Sequence, residues 1–306
     1  MGDLPNLANL DYVDRVNRAI DYVTRNLGQP LPLEDVAKAA CFSPYHFHRI
    51  FRAIVGETLH AFVKRTRLER ALYLLSHRDR PALTDVALAC GFSSSSDFSR
   101  SFRDHFGVPP RAFDVEGFRG TRREQMMKSL GDGQRFARLP QNANPDGFAV
   151  RLRDLPARRI AYLRVLRPYE EGRVVQAFER LIAWARGRGL ESGQWLGYQW
   201  EDPEIVPLDL CRYDVGVEVP NDVRIDGDVS ETRFQAMTVA EIDIKGTVDL
   251  EVRALDWLYG TWLPRSGFAP AHQPGFEAFD GLPFAHGMEH FELRVHLAVV
   301  DASEAL

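Results

Sequence analysis

Leu83-Thr-Asp-Val-Ala-Leu-Ala-Cys-Gly-Phe-Ser93 is a short apolar helix pattern closed by a glycine, an aromatic residue and a serine. The same pattern stands 50 residues earlier as Leu33-Glu-Asp-Val-Ala-Lys-Ala-Ala-Cys-Phe-Ser43. Leu33/Leu83, Asp35/Asp85, Val36/Val86, Ala37/Ala87, Phe42/Phe92 and Ser43/Ser93 correspond. Beyond them the offset becomes 51: Phe47/Phe98, Arg49/Arg100, Phe51/Phe102, Arg52/Arg103, Gly56/Gly107 and Ala61-Phe62/Ala112-Phe113. Two copies are too few for a solenoid, which needs at least three. They read as a tandem pair of one small motif.

Each copy reads as helix–turn–helix. Leu33, Val36, Ala37 and Ala40 share one face of a first helix. The turn falls at Cys41-Phe42 and at Gly91-Phe92. Gly91 suits a left-handed position after a helix; at Cys41 either the same position carries strain or the turn differs slightly. Ser43 suits an N-cap and Pro44 the first helical position. The second helix of copy one buries Phe47, Ile50 and Phe51 and turns Tyr45, His48, Arg49 and Arg52 elsewhere. Copy two buries Phe98 and Phe102 and leaves Ser95, Ser96, Asp97, Arg100 and Arg103 available. Between the copies, Glu57–Ser76 predicts a helix about 30 Å long. Lys64, Arg65, Arg67 and Arg70 decorate it. A DNA major groove admits one helix, and such grooves recur on one face at about 34 Å. The connector can therefore offer two second helices to neighbouring grooves. The same pattern also fits a bundle whose arginines are a solvated face.

The chain has 306 residues, enough for about two domains. Hydrophobic residues make up 45% and charged residues 26%, ordinary for a globular protein. The net charge of −5 excludes a polybasic whole-chain binder. It hides a step: residues 1–147 carry +4 and residues 148–306 carry −9. All five tryptophans lie in the second part. No apolar run is long enough for a membrane span, and no basic-then-apolar leader stands near Met1. Three cysteines, Cys41, Cys90 and Cys211, have no CxxC spacing, so neither a disulfide framework nor a zinc knuckle is expected. A reducing cytoplasm is the expected compartment. From Asp114 to Asp146 apolar periodicity lapses and turn formers gather, so 114–147 reads as a linker with a short helix near Glu124–Leu130.

Tyr12 to Phe113 resembles the DNA-binding domain of the AraC/XylS family of transcriptional regulators. The residues that carry it are Ala-x-x-x-x-Phe-Ser-x-x-x-Phe-x-Arg-x-Phe in copy one. In copy two they are Ala87-Leu-Ala-Cys-Gly-Phe-Ser93, Phe98-Ser-Arg-Ser-Phe102 and Phe106-Gly-Val-Pro-Pro-Arg-Ala-Phe113. The resemblance implies two reading heads on one chain, acting on double-stranded DNA as a monomer or homodimer and reaching RNA polymerase indirectly. By position in the motif, Tyr45, His48 and Arg49 face bases from the first head. Ser95, Ser96, Asp97 and Arg100 do so from the second, with Lys64 on phosphate.

The second part reads as α+β. Strand alternation runs at Ala149–Leu152, Arg159–Val165, Gln194–Trp200, Cys211–Val217, Arg233–Ile244 and His290–Val299. Helical patterns fill Val174–Arg188 and Val248–Leu263. The order suggests two similar βαββ-type halves sharing an antiparallel sheet. Leu155-Pro-Ala157, Leu210-Cys-Arg-Tyr-Asp-Val215, Ile244-Lys-Gly246, Gly275-Phe-Glu-Ala-Phe279 and the Phe291 strand resemble the GyrI-like small-molecule-binding domain. That resemblance implies an aromatic pocket with a buried acid, Glu277 standing at the matching position. A carboxylate among rings suits an organic cation. Tyr162, Tyr198, Trp200, Trp257 and Phe276 are candidates for its lining, although aromatics at such spacing are most often core.

The expectation is a multidomain protein: an all-α tandem helix-turn-helix domain at 1–113, the linker at 114–147 and the GyrI-like domain at 148–306. Its function is expected to be ligand-responsive, sequence-specific DNA binding in a cytoplasmic, nucleoid-associated regulator that is not an enzyme. Neither a cofactor nor a metal is expected. His286-Gly-Met-Glu-His290 matches a zinc-protease signature in letters, but Gly287 and the strand that follows break the helix such a site needs. The alternative expectation is a DNA-binding domain fused to a small-molecule hydrolase with Glu277 as acid/base.

Overall fold

The computed structural model describes residues 7–77, 81–129, 139–140, 142–271, 273–287 and 289–302. The chain divides into two compact units, Met1–Arg122 and Arg123–Leu306.

The first unit is helical. It runs α1 (Leu7–Arg25), α2 (Leu33–Ala39), α3 (Pro44–Val55), α4 (Leu59–His77), α5 (Leu83–Ala89), α6 (Ser95–Phe106) and the start of α7 (Val115–Ser129). The repeat is therefore larger than helix–turn–helix: α1-α2-α3 and α4-α5-α6 are two three-helix units. Val16, Ile20, Val23, Val36, Phe47 and Phe51 form the first core, which Leu59 and Phe62 of α4 enter. Further along α4, Leu68 and Leu72 are buried, as are Val86, Phe98 and Phe102 of the second copy. Burying each such side chain contributes roughly 1.5–3 kcal/mol. Phe106, Phe113 and Phe118 extend the second cluster, Phe118 lying 5.2 Å from Phe113 between ring centroids.

The two turns are alike. Phe42 donates its N–H to Ala37 O and Phe92 to Ala87 O, both at 2.9 Å, closing each first helix. Cys41 sits at φ 54° and Gly91 at φ 77°, so the expected strain at Cys41 is present. Arg15 of α1 braces the first turn, donating to Ala40 O at 3.0 Å and to Cys41 O. Arg67 braces the chain beside the second, donating to Leu27 O at 3.1 Å and Gln29 O at 2.8 Å. Arg65 reaches Glu57 and Glu69 at 2.5 and 2.8 Å with its own side chain only 11% exposed. Arg65 and Arg67 therefore do not decorate a surface as the sequence suggested. Their long stems fold inward because helix ends leave carbonyls, and neighbouring helices leave carboxylates, that need donors.

Among the described residues the second unit is an antiparallel sheet with α8 (Arg173–Arg186) and α9 (Val248–Trp257) packed on it. Its elements are β1 (Arg151–Leu155), β2 (Arg158–Leu166), α8, β3 (Trp195–Gln199), β4 (Arg212–Glu218), β5 (Ser230–Phe234), β6 (Met237–Gly246), α9, β7 (Phe268–Pro270), β8 (Gly275–Phe279) and β9 (Phe291–Asp301). Among the described residues the strand order is β1-β6-β9-β8-β3-β4-β2-β5, with β7 on β9. β2-α8-β3-β4 and β6-α9-β8-β9 are the two βαββ halves, joined where β3 pairs with β8. The expected strand Arg233–Ile244 is two strands broken at Gln235-Ala236, because β5 pairs with β2 of one half and β6 with β9 of the other.

Strand alternation gives the sheet two chemistries. Ala161, Leu163, Trp195, Val215, Phe279 and Val295 pack with Phe178, Leu181, Ala254 and Leu258 of the helical layer. Ile160, Tyr162, Leu196, Tyr198, Phe234 and Phe276 form a separate core on the other face. That face is concave. Phe234 of β5 stacks on Tyr198 of β3 with centroids 4.7 Å apart. Three flat strand spacings would separate those strands by about 14 Å.

The segment read as a linker, 114–147, holds the whole of α7. From Arg123 its residues belong to the second unit, where Met126 and Met127 pack against Tyr169, Leu208 and Val252. The Arg123 guanidinium meets Asp256 at 2.6 Å and Glu204 at 2.7 Å, all three side chains nearly buried.

A Cβ on Gly91 would lie 2.5 Å from Leu27 O and 2.8 Å from Arg67. Gly91→Ala should therefore lower stability by more than about 2 kcal/mol, the left-handed penalty plus the clash. Cys41→Gly should raise it by up to about 1 kcal/mol. Chemical denaturation of the full chain, followed by helical circular dichroism, measures both.

Candidate functional site

Two surfaces concentrate chemistry. The first consists of α3 and α6. Ser43 caps α3 with extended backbone, Pro44 sits at its first position, and no acid lies in its first turn. Tyr45 is 68% exposed, and His48 and Arg49 are exposed beside it. The Arg49 guanidinium lies 5.8 Å from the Tyr45 ring centroid, which restricts both side chains.

α6 differs at its start. Ser94 is the N-cap, accepting from Asp97 N at 3.1 Å. The Asp97 carboxylate accepts from Ser93 Oγ at 3.0 Å and from Arg100 at 3.3 Å. Its hydrogen bond from Ser93, with that from Arg100, holds its pKa below the ordinary value. Asp97 is thus occupied by the helix start. Ser96 and Arg100 are exposed, whereas Ser95 is half-buried. Lys64 is half-buried on α4.

The second surface lies on the helical side of the sheet. Glu277 of β8 is 7% exposed. Its Oε2 accepts from Tyr213 Oη of β4 at 2.5 Å and its Oε1 from Gln199 Nε2 of β3 at 2.6 Å. Glu251, in the first turn of α9 and 9% exposed, hydrogen-bonds to it. Gly197 stands opposite Glu277 in the β3–β8 register. A Cβ there would lie 1.7 Å from Tyr213 Oη and 2.7 Å from Glu277 Oε2, so the bare backbone is what lets the phenol cross to the acid.

Burial raises both carboxyl pKa values, Glu251 well above the ordinary range. Two buried acids in contact cannot both ionise cheaply, so the pair retains a proton. Burial also keeps Tyr213 and Tyr169 protonated, with Glu277 adding to the effect. The result is a buried acidic site ringed by neutral donors, with Met126 and Met127 packed on Tyr169.

The structure does not gather the expected lining into one pocket. Glu277 faces the helices, whereas Tyr162, Tyr198 and Phe276 belong to the core on the opposite face. Period-two alternation forces this: Phe276 and Glu277 are adjacent on β8 and point to opposite sides. Trp200 donates to Asp214 at 2.6 Å and lies beside Arg164 and Arg212. Trp257 packs on Phe148, with centroids 6.0 Å apart. Sequence reasoning missed Glu251, Tyr213, Gln199 and Gly197. Glu251 had a signal: it shares one helix face with Ala254, Leu255 and Leu258, a core position for an acid.

Residues 148–295 match the GyrI-like small molecule binding domain family, and residues 36–114 match a helix-turn-helix domain family of AraC type. A probable transcriptional regulator, LumQ of Photobacterium leiognathi, is 33% identical over 103 residues, 33% of this chain and 41% of that protein. The regulatory protein PocR of Salmonella typhimurium is 35% identical over 99 residues, 32% of each chain. The multiple antibiotic resistance protein MarA of the same species is 26% identical over 117 residues, 38% of this chain and 91% of that one. The chain thus spans well under half of LumQ and PocR.

The folded pair binds its proton more tightly than the unfolded chain. Its contribution to stability is full below the ordinary carboxylate value of 4.5 and is lost as pH rises through the raised values. Glu251→Gln should therefore flatten the loss of stability as pH rises above the ordinary carboxylate value of 4.5, read by denaturation across pH. Gly197→Ala should displace Tyr213 and destabilise by about 1–3 kcal/mol in the same assay.

Proposed function

We propose that this chain, which joins an AraC-type helix-turn-helix domain to a GyrI-like small molecule binding domain, is an effector-responsive transcriptional regulator. The first unit reads two adjacent major-groove segments of double-stranded DNA with α3 and α6. The observation that carries this is the repeated three-helix unit, each copy exposing its third helix after the same braced turn. Tyr45, His48 and Arg49 are the base-facing set of the first head. Ser96 and Arg100 are that of the second, with Ser95 behind them and Asp97 held as the helix cap. Lys64 takes a phosphate. A monomer carries both heads, so dimerisation is not required for a bipartite site.

The second unit binds a small organic effector, and an organic cation suits it best. Burial already strains the Glu277–Glu251 pair. A cation entering beside it allows the shared proton to leave and recovers the charge in a low dielectric. The site binds rather than turns over: both Glu277 oxygens are held by Tyr213 and Gln199. Segment 114–147 is where the effector acts on the DNA-reading unit, since Met126 and Met127 of α7 pack on Tyr169 beside the acids. For control, the effector must favour one arrangement of this segment over another.

Selection of genomic fragments with the full chain, with and without benzyltrimethylammonium, tests the reading. A bipartite site with halves about one helical turn apart is expected, its occupancy changed by the cation. No enrichment in either condition would sink the DNA-reading assignment. On the selected site, Arg49→Ala should cost about 1–3 kcal/mol and relax one base position, whereas Lys64→Ala should lower the salt slope by about one without changing preference. Glu277→Gln should weaken the cation at least about tenfold and leave a neutral isostere unchanged, which calorimetry measures.

A further inference from the structure

The concave face of the sheet, turned away from Glu277, contains a buried guanidinium that forms no ion pair among the described residues. Arg158 of β2 is 7% exposed, and its Nε and Nη2 have no hydrogen-bond partner among the described residues. Its guanidinium lies 4.8 Å from the centroid of the Phe276 ring. Neighbouring buried arginines are answered: Arg164 meets Asp214 at 2.7 Å, and Arg212 meets Glu201. A second buried acid on this face, Glu241, is also committed, as Asp214 is to Arg164. It takes Arg151 at 2.9 Å, Arg153 at 3.4 Å and His296 at 3.0 Å. A buried guanidinium without an anion is costly, and water satisfies its hydrogen bonds but not its charge.

Two more atoms beside the same ring lack partners among the described residues. Tyr198, 1% exposed and 5.3 Å from Phe276 between centroids, has such a hydroxyl. His296, 3% exposed and stacked on Phe276 at 4.5 Å, has an unpartnered Nδ1. Its Nε2 faces Glu241 Oε2, and a carboxylate only accepts, so Nε2 carries the hydrogen. Burial lowers the His296 pKa to about 4, so the ring is neutral at pH 7 and Nδ1 is an acceptor. The three orphans thus present a cationic fork, a hydroxyl donor and an acceptor.

We propose that this concave face is a second ligand site, for a small hydroxycarboxylate. Its carboxylate lies on the Arg158 fork and the Tyr198 hydroxyl. Its own hydroxyl donates to His296 Nδ1. Guanidinium and carboxylate are matched in planar, two-pronged geometry. The rings of Phe234, Tyr198 and Phe276 close around the site and set its size. The two faces of one sheet then take ligands of opposite charge, and the second site stands whether or not the first binds a cation.

Thermal unfolding and calorimetry of the full chain with glycolate, acetate and acetamide at pH 7 test this. Glycolate should bind at least tenfold more tightly than acetate, and acetamide not measurably. Arg158→Met should abolish both anions, and Glu277→Gln should leave them unchanged. His296→Phe should make glycolate and acetate equal. If Arg158→Met does not fold, Tyr198→Phe should weaken both anions severalfold while keeping their order. Absence of anion binding to the wild-type chain, or equal binding by Arg158→Met or by Tyr198→Phe, would overturn the proposal.

Discussion

The pairing of β3 with β8 is the constraint on which the second unit depends. It joins the two βαββ halves, and its register sets Gly197 against Glu277 and Tyr198 against Phe276. Because successive side chains on a strand alternate, one step along β8 separates an acid from an aromatic ring by the thickness of the sheet. The helices then cover the acidic side, and the curl of the sheet covers the aromatic side. A slip of one residue would put Glu277 among Tyr198 and Phe234 and strand Phe276 beside Glu251.

The helical unit was legible because its code is local. A left-handed residue, a cap and apolar spacing at three and four residues each act within one turn of helix, and two copies corroborate each other. Its arginines were less legible. Arg65 and Arg67 look like Arg49 in the sequence, and only the placement of Glu57, Glu69 and Leu27 turns them inward. Asp97 was expected to face bases, and only the structure shows its carboxylate accepting from Ser93 at the helix start.

In the sheet, β7 and β8 were not among the expected strands, and the facing of the others was not legible. β2 and β4, like Gly275–Phe279, are buried at successive positions on both faces, so no polar-apolar rhythm tells their two sides apart. Gathering Tyr162, Tyr198, Phe276 and Glu277 into one pocket followed from their chemistry, whereas parity alone divides them. Residues 115–129 failed the periodicity test because their contacts are specific: one arginine held by two acids, and two methionines on a tyrosine. Such contacts leave almost no pattern along the chain.

The two exposed helices begin with opposite electrostatic signatures. α3 opens on Ser43-Pro44 with no acid in its first turn, so its free amides and positive dipole end are open to an anion. α6 opens with Asp97, whose carboxylate already occupies that position. In the proposed DNA-reading role, phosphate is attracted to the start of α3 and repelled by the Asp97 carboxylate at the start of α6, so the contacts of the two proposed heads would respond differently to salt.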